Sequence, residues 1–372
     1  MIVAAIGVAA AAMTPAPGVP HVVAGQVRAH SCSDVTKLAA WPLDRLAMMT
    51  IAVPVEESSP GEAASEVSHG AGGVLLFGTA APRNLASALA TLRRDVPQHL
   101  GLLVMTDEEG GAVQRMANLV GSLPWPQTMG TDWSPSHIER AVAAIARRMA
   151  AAGVNMDLAP VVDVDGRHVA PGDSDPDGYR SFGGNRSLVL RDALAYADGL
   201  EAGHVIPVFK HFPGLGGASG NTDVEPARTL PWKRLQKVAI PPYVAGIRAG
   251  VPAIMVSNAT VPGLASYPAS LSPAATHREL EARLGFKGLV LTDSLTAVAI
   301  TDHWTVPEAA VQALLAGADM VLFGIVSHVA AESASIKAAI VSAVESGHLP
   351  RRRLVDAAAA VLSVRHVDLC RR

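Results

Sequence analysis

The sequence VIPVFKHFPGLGGASGNTD, residues 205–223, indicates both an architecture and a site. It opens with an apolar run, Val205–Phe209, of the kind that forms a buried parallel strand. Lys210 and His211 follow at the carboxyl end of this run, and a Pro-Gly break then leads into a Gly-, Ser- and Asn-rich loop that ends in Asp223. A basic pair after a strand, followed by a loop that carries a carboxylate, is typical of α/β proteins that build a site at strand ends.

The same pattern of apolar run, polar residues and helix recurs along the chain. The runs are continuous in apolar character rather than alternating, as expected of parallel strands that are covered on both faces. The eight runs are Met48–Val53, Gly73–Phe77, Leu102–Thr106, Val154–Ala159, Val205–Phe209, Ala253–Val256, Leu289–Thr292 and Met320–Phe323.

The segments between these runs carry apolar residues at helical spacing. One helix is predicted over Ser136–Ala152, with Ser134 or Ser136 as its N-cap and Gly153 as its C-cap. Strands that alternate with helices in this way predict an α/β fold, a (β/α)8 TIM barrel, with an open doubly wound sheet as the alternative. No G-x-G-x-x-G follows an early strand, which disfavours a dinucleotide-binding fold.

The composition limits the class of protein. Of 372 residues, 49% are hydrophobic and 17% are charged, which indicates a well-packed globular core. The net charge of -3 provides no basic field for nucleic acid. No uninterrupted apolar segment reaches the length of a membrane span. We expect one catalytic domain over residues 41–372, preceded over residues 1–40 by a signal-like segment and a linker.

The two ends of the chain suggest export. Met1–Ala12 resembles the apolar h-region of a secretory signal, although it lacks the usual basic residues before it. We expect a secreted or envelope-associated protein, with a cytoplasmic protein as the alternative. Cys32 and Cys370 flank the globular part, and barrels bring their termini together, so a Cys32–Cys370 disulfide fits an exported protein. Two unrelated thiols are the alternative, and the sequence AHS before Cys32 is a poor lipidation signal.

Charged and polar side chains follow several of the predicted strands, and in a barrel these strand ends meet at one mouth. Each has an ordinary structural explanation: Asp293 as a helix cap, Arg115 as a surface residue, His211 as a core histidine. Their coincidence at one mouth favours a site, and carboxylates with guanidinium groups suit a polyhydroxylated ligand. The candidates are Asp107, Arg115, Asp163, Asp165, Arg180, Lys210, His211, Asp223, Ser257, Asn258, Asp293 and Ser294.

Metal-ligand spacings such as H-E-x-x-H or C-x-x-C do not occur in the sequence, so no metal site is predicted.

Four motifs occur in a fixed order along the chain. They are D-E-E-G-G at Asp107 with Arg115, R-S-F-G at Arg180, K-H-F-P-G at Lys210 and L-T-D-S-L around Asp293. In order and spacing they resemble the single-domain bacterial β-N-acetylhexosaminidases of glycoside hydrolase family 3, over roughly residues 41–367. The resemblance implies a (β/α)8 barrel and a retaining double displacement on terminal β-linked N-acetylglucosamine. Cell-wall muropeptide fragments are among the implied substrates.

Carried over residue by residue, the resemblance implies that Asp293 is the nucleophile that forms the glycosyl-enzyme. A carboxylate nucleophile has to stay ionised, and nearby cations favour the ionised form. Hydrolysis by this route needs only water, so no cofactor is expected. The residues for which the resemblance implies sugar binding are Asp107, Arg115, Arg180, Lys210 and His211.

The loop after Lys210 departs from the family pattern. The family usually reads K-H-F-P-G-H-G and continues with an Asp-x-His pair whose His is the acid/base. Here Leu215 stands in place of the second motif histidine, and Asn221 and Asp223 occupy the Asp and His positions. Either Asp223 acts as the acid/base, or the loop has shifted in register, or general acid assistance is lost. Because most retaining glycosidases use a carboxylic acid in this role, our hypothesis is that Asp223 is the acid/base.

Three functions remain open at this stage. The first is an exported, monomeric glycoside hydrolase whose substrate is a β-N-acetylglucosamine-terminated glycan or muropeptide. The second is a phosphorylase or a β-glucosidase on the same scaffold. The third is a sugar-binding protein with weakened catalysis, which the altered loop suggests and the retained Asp293 disfavours.

Overall fold

A closed barrel of eight parallel strands forms the centre of the molecule. The structure is a computed structural model that describes residues 32–97 and 100–370, with the backbone alone for residues 32–34. Around the barrel the strand order is β1-β8-β7-β6-β5-β4-β3-β2, so every sequence neighbour is also a spatial neighbour. The strands are β1 Ile51–Glu56, β2 Gly73–Phe77, β3 Leu103–Thr106, β4 Met156–Asp157, β5 Ile206–Phe212, β6 Ala253–Val256, β7 Leu289–Ser294 and β8 Met320–Leu322.

The predicted (β/α)8 barrel is therefore confirmed, and each of the eight apolar runs contributes a strand. Helices cover the outside of the sheet, and the strand residues are buried along almost their whole length. The helices are α1 Cys32–Ala39, α2 Leu43–Met49, α3 Ala64–Ser68, α4 Leu85–Leu92, α5 Ala117–Val120, α6 Pro126–Asp132, α7 Pro135–Ala152, α8 Arg186–Ala202, α9 Trp232–Val238, α10 Ile240–Ala249, α11 Val298–Thr301, α12 Val306–Ala316, α13 Val329–Glu345 and α14 Arg351–Val364, with a π-helix at Ala274–Arg283.

The ends of α7 follow the sequence signals. The side chain of Ser134 accepts a hydrogen bond from the backbone N–H of His137, as an N-cap does. Gly153 closes the helix in the left-handed region, at φ 95°, where a residue with a Cβ would be strained. Together these two residues orient the helix that connects β3 to β4.

Two segments differ from the sequence-based prediction. The first apolar run begins inside α2, because Met48 and Met49 form its last turn and only Ile51 starts the strand. The segment 232–249 between two apolar runs has the apolar spacing of a single helix, but it is divided into α9 and α10 at Ala239. Proline lacks the backbone N–H of a helix interior, so Pro241 and Pro242 are accepted only in the first turn of a new helix.

The two ends of the described chain lie together at one side of the barrel. Residues 32–39, read from sequence as linker, form α1, which packs against α14. Leu38 is fully buried, and the Lys37 ammonium donates to the carbonyl of Leu369. The proposed signal segment Met1–Ala12 and the side chain of Cys32 lie outside the described residues, so export and the disulfide stay predictions. Within residues 32–97 and 100–370, no helix has the length and apolar character of a membrane span.

Candidate active site

A buried ion cluster lies where β3 and β5 end. The ammonium Nζ of Lys210 lies 2.8 Å from Asp107 Oδ1 and 2.7 Å from Glu109 Oε1. Arg180 binds the same Glu109 carboxylate with two parallel bonds, Nε to Oε2 at 2.7 Å and Nη2 to Oε1 at 2.8 Å. The structure thus brings three of the predicted sugar-binding residues together, and a fourth residue connects them.

That fourth residue, Glu109, is only 1% exposed and was not among the sequence candidates. Burial acts to raise the pKa of Glu109, but the charges of Arg180 and Lys210 outweigh it and hold the pKa far below its usual range. The signal in the sequence was the D-E-E triplet after β3, in which one carboxylate can face the mouth while the next is buried behind it.

Arg115 lies at the outer edge of this cluster. Its guanidinium Nη2 is 3.8 Å from Asp107 Oδ2, and its Cζ lies 5.5 Å from the centre of the Phe77 ring. This arrangement keeps a cation beside Asp107 while leaving the Arg115 side chain about one-third exposed. Arg115 is therefore positioned to meet a polar ligand at the mouth.

The carboxylate of Asp163, in the loop after β4, holds the His211 side chain in place. Its Nδ1 lies 2.7 Å from Asp163 Oδ2, and the same oxygen accepts from the His211 backbone N–H at 3.1 Å. Asp163 Oδ1 accepts from the backbone N–H of Leu215 at 2.7 Å. Asp163 thereby sets the ring orientation of His211 and the start of the following loop together.

The loop that carries Asp223 lies against the segment that follows β7. The carbonyl of Asp223 accepts from Val298 N at 3.3 Å, and the carbonyl of Thr222 accepts from Ala299 N at 3.0 Å. Asp293 is the penultimate residue of β7, where its Oδ1 accepts from the Ser294 N–H at 2.7 Å. These contacts hold Asp223 on the same side of the mouth as Asp293.

The negative charge of Asp293 acts on the Asp223 carboxyl group. Partial removal from water and then the negative charge of Asp293 raise the pKa of Asp223, while Arg180 and His211 act to lower it. Although the Asp223 residue is exposed in part, its carboxyl group lies within the field of the site. A carboxyl with a raised pKa beside a second carboxylate is the arrangement that separates an acid from a nucleophile.

The first half of the loop is anchored rather than free. Leu215 and Ala218 are buried and form a small apolar cluster with Ala259 from the loop after β6. A Cβ at Gly216 would lie 2.2 Å from the carbonyl oxygen of Val164, so only glycine fits at this close approach. Leu215, in the place of a motif histidine, therefore serves to pack the loop onto the barrel.

Two further acids lie behind the ion cluster, and neither was predicted as a site residue. Asp157 on β4 is fully buried, and burial is the main cause that raises its pKa to about 8. Glu108 is 1% exposed, and burial likewise raises its pKa to about 8. Asp157 Oδ1 accepts from the Glu108 backbone N–H at 2.9 Å. At neutral pH both are mainly protonated, so they add little negative charge behind Lys210.

The remaining strand-end candidates support the loops. Asp165 pairs with Arg167, whose Nη2 lies 3.0 Å from Asp165 Oδ2. Asn258 donates to the carbonyl of Ser294 at 2.7 Å and connects the loops after β6 and β7. The Ser257 hydroxyl accepts from the Ala259 N–H at 3.0 Å. The contacts of these residues hold the loops at the mouth in place, and we assign none of them a role in the reaction.

Comparison with known proteins identifies the family. Residues 45–364 match the family model described as glycosyl hydrolase family 3 N terminal domain. The beta-hexosaminidase LpqI of Mycobacterium tuberculosis is 34% identical over 303 residues, covering 79% of this chain and 76% of that protein. A protein of Arthroderma benhamiae, described as an uncharacterized secreted glycosyl hydrolase, is 32% identical over 288 residues, covering 75% of this chain and 80% of that protein.

A solved structure agrees with this assignment. The β-N-acetylhexosaminidase of Beutenbergia cavernae superposes with a TM-score of 0.79 and 27% identity, covering 88% of this chain and 100% of that one. The closed barrel, the charged mouth and the match over most of the chain all lead to one conclusion. The chain belongs to glycosyl hydrolase family 3.

Proposed function

We propose that the protein is a retaining glycosidase that releases terminal β-linked N-acetylglucosamine, with Asp293 as nucleophile and Asp223 as acid/base. One observation carries the proposal: the loop holds the Asp223 carboxyl in the field of Asp293, with a raised pKa, at the mouth that also contains the cluster of Lys210, Arg180 and Glu109. Relatives named beta-hexosaminidase support the choice of substrate.

The proposed reaction has two steps. Asp293 attacks the anomeric carbon while protonated Asp223 gives its proton to the leaving oxygen, which breaks the glycosidic bond and forms an ester to Asp293. Asp223, now a carboxylate, then takes a proton from a water molecule as that water attacks the anomeric carbon, which breaks the bond to Asp293 and releases its carboxylate. The anomeric configuration is retained, and Asp223 ends the cycle protonated as it began.

The chemistry of Asp223 also favours hydrolysis over phosphorolysis. In the second step this carboxylate carries a negative charge beside the incoming acceptor. A neutral water molecule approaches without penalty, whereas inorganic phosphate is repelled. Added phosphate should therefore leave the turnover rate unchanged and produce no sugar 1-phosphate.

The test compares two substrates with different leaving groups. Wild type should hydrolyse both 4-nitrophenyl β-N-acetylglucosaminide and N,N′-diacetylchitobiose, and Asp293→Ala should hydrolyse neither. Asp223→Ala should lose on the order of 10²–10⁴ in rate on the unactivated disaccharide. It should lose much less on the nitrophenyl glycoside, whose leaving group needs little protonation.

Asp173→Ala, an exposed carboxylate in the loop after β4, is the matched control and should behave as wild type. If Asp223→Ala is as fast as wild type on the disaccharide, Asp223 is not the acid/base. If wild type binds the sugar without turnover, the protein is a sugar-binding module.

We further propose a role outside the cytoplasm in cell-wall turnover, as a monomer in which residues 41–372 form the catalytic domain. The apolar segment Met1–Ala12 and the relative described as a secreted glycosyl hydrolase support export. A Cys32–Cys370 disulfide would fit that compartment.

Incubation with purified muropeptides, followed by mass spectrometry, should show loss of one N-acetylglucosamine. Size-exclusion chromatography with light scattering should give the monomer mass of 38.4 kDa, less any cleaved signal.

A further inference from the structure

A second cleft lies outside the sugar-binding mouth, between the segment that follows β1 and the start of α13, which follows β8. Its volume is about 420 Å³, which is enough for a ligand of the size of an amino acid. Glu62 and Glu66 line one side of the cleft, and residues 325–331 line the other. The buried ion cluster at the mouth contributes no residue to it. The cleft is therefore a site that the glycosidase mechanism does not use.

Glu66 on α3 is a buried acid in this cleft. The residue is only 8% exposed, and its Oε2 is buried and accepts no hydrogen bond within the part of the chain that the structure describes. Buried polar atoms are nearly always paired, and a buried carboxylate is costly unless a charge or hydrogen bonds compensate it. Glu56 and Glu62 bring two more carboxyl groups to the same cleft, and no lysine or arginine lines it. This side of the cleft therefore suits a ligand group that is cationic and donates hydrogen bonds.

The other side of the cleft carries hydrogen-bond donors. It contains the first turn of α13, a helix of 17 residues, whose first backbone N–H groups have no acceptor within the helix. The side chain of its N-cap residue, His328, does not accept from them either. A helix N-terminus also carries partial positive charge, so it attracts an anionic group such as a carboxylate. The hydroxyl of Ser327 adds a further donor beside this turn.

An acceptor side and a donor side within one cleft match a zwitterion. An α-amino acid carries its ammonium group and its carboxylate on the same carbon, so it can contact both sides at once. A simple cation or a simple anion would satisfy only one of them. Ile325, a large apolar side chain that is 41% exposed, lines the same cleft together with Val326. These two residues suit an aliphatic side chain on the ligand.

We propose that the cleft between α3 and α13 binds a free aliphatic α-amino acid. Its ammonium group would bind the Glu66 carboxylate, and its carboxylate would bind the N-terminus of α13. The two sides come from the segments after β1 and after β8, which become neighbours only when the barrel closes, so no local motif indicates the site. The inference does not depend on the identity of the sugar or on the role of Asp223.

The experiment compares three ligands of nearly the same shape. The full chain is titrated by calorimetry with L-leucine and D-leucine separately, with 3-methylbutylamine, which lacks the carboxylate, and with 4-methylpentanoate, which lacks the ammonium group. Wild type should bind one equivalent of at least one leucine enantiomer, and that ligand should raise Tm. The amine and the acid should each bind at least about ten-fold more weakly, because each leaves one side of the cleft without its partner.

Glu66→Gln keeps the shape of the side chain and removes its charge, so it should bind leucine at least about ten-fold more weakly. Glu345→Gln is the matched control, because it makes the same charge change at an exposed position at the other end of α13. It should bind leucine as wild type does. Absence of leucine binding by folded wild type overturns the proposal, as does equal affinity in wild type and Glu66→Gln. Binding of the amine or the acid as tightly as leucine also overturns it, because one side of the cleft would then take no part.

Discussion

Asp223 occupies the position where the family pattern carries a histidine, and its surroundings suit a carboxylic acid in that role. Burial, and then the negative charge of Asp293, raise the pKa of Asp223, while the charges of Arg180 and His211 act to lower it. An acid/base has to be protonated when it meets the substrate and must also give up its proton readily. A carboxyl whose pKa is raised towards the working pH meets both requirements.

A pH profile tests this assignment. Because only protonated Asp223 can donate, kcat/KM for N,N′-diacetylchitobiose should fall as the pH rises through its pKa, which lies above the ordinary aspartate value. This fall of kcat/KM at high pH, the alkaline limb of the profile, should be absent in Asp223→Ala. It should be shallow when wild type acts on the nitrophenyl glycoside. The groups that face this carboxyl and set the position of the limb are Asp293, Arg180, His211 and Asp107. An unchanged alkaline limb in Asp223→Ala would assign that limb to another group.

The second prediction at the residue scale concerns the Glu109→Gln variant. Glu109→Gln leaves Lys210 and Arg180 with one fewer carboxylate in a buried site. Loss of one partner of a buried ion pair costs on the order of 3–5 kcal/mol. We expect a clear drop in Tm and a higher KM for the sugar. Glu62→Gln, at an exposed position, should change neither, and an unaltered KM in Glu109→Gln would show that the cluster has no role in binding.

Asp157 predicts a dependence of stability on pH. Its pKa is raised to about 8 in the folded protein, against about 4 when unfolded. A raised pKa gives stability that is full below the unfolded pKa and is lost as the pH rises through about 8. Tm should therefore fall between pH 6 and pH 9, and it should fall less in Asp157→Asn, whose amide stays neutral. Glu108, also raised to about 8, preserves part of the slope. Parallel slopes would contradict the assignment.

The loop over residues 213–231 is the element that assembles the site. Leu215 and Ala218 anchor its first half, and the carbonyls of Thr222 and Asp223 bind the segment after β7. A change that moves this loop should therefore act on catalysis much more than on the barrel, whose core lies elsewhere.

Gly216→Ala tests the loop as an element. The added methyl would meet the Val164 carbonyl at 2.2 Å, so the loop has to shift and carry Asp223 away from Asp293. We expect kcat on the disaccharide to fall towards that of Asp223→Ala, with Tm almost unchanged. Gly172→Ala, where nothing lies within 4 Å of the new methyl, is the control. A wild-type kcat in Gly216→Ala would separate loop position from catalysis.

At the scale of the whole molecule, the two ends of the chain meet. Helix α1 packs on α14, and Lys37 bonds the carbonyl next to Cys370. A disulfide from Cys32 would close almost the full chain into one loop, and the chain-entropy effect is on the order of 5 kcal/mol. Protein purified without reductant should show no thiol in a thiol assay under denaturing conditions. Reduction, or the Cys370→Ser variant, should lower Tm. Two titratable thiols in unreduced protein would rule the disulfide out.

Much of the fold could be predicted from local sequence patterns. Continuous apolar runs such as Leu289–Thr292 indicated parallel strands buried on both faces, and strand ends such as Lys210–His211 indicated one mouth. Segment boundaries were less predictable. The apolar run that begins at Met48 covers the end of α2 as well as the start of β1. The boundary between α9 and α10 at Ala239 depends on two prolines inside an otherwise helical pattern.

By itself the sequence determined the barrel and the set of charged residues at its mouth, because strand burial and strand-end position are encoded in short-range order. Only the tertiary structure decided which charges pair and which remain neutral. Glu109 is ionised because Arg180 and Lys210 converge on it, while burial raises the pKa of Asp157, a residue that is far from Glu109 in sequence but within reach of its charge. The hydrogen bond between Asp163 and His211 likewise forms only when the loop after β4 packs against the end of β5. Protonation and pairing depend on distances in space, which spacing along the chain does not contain.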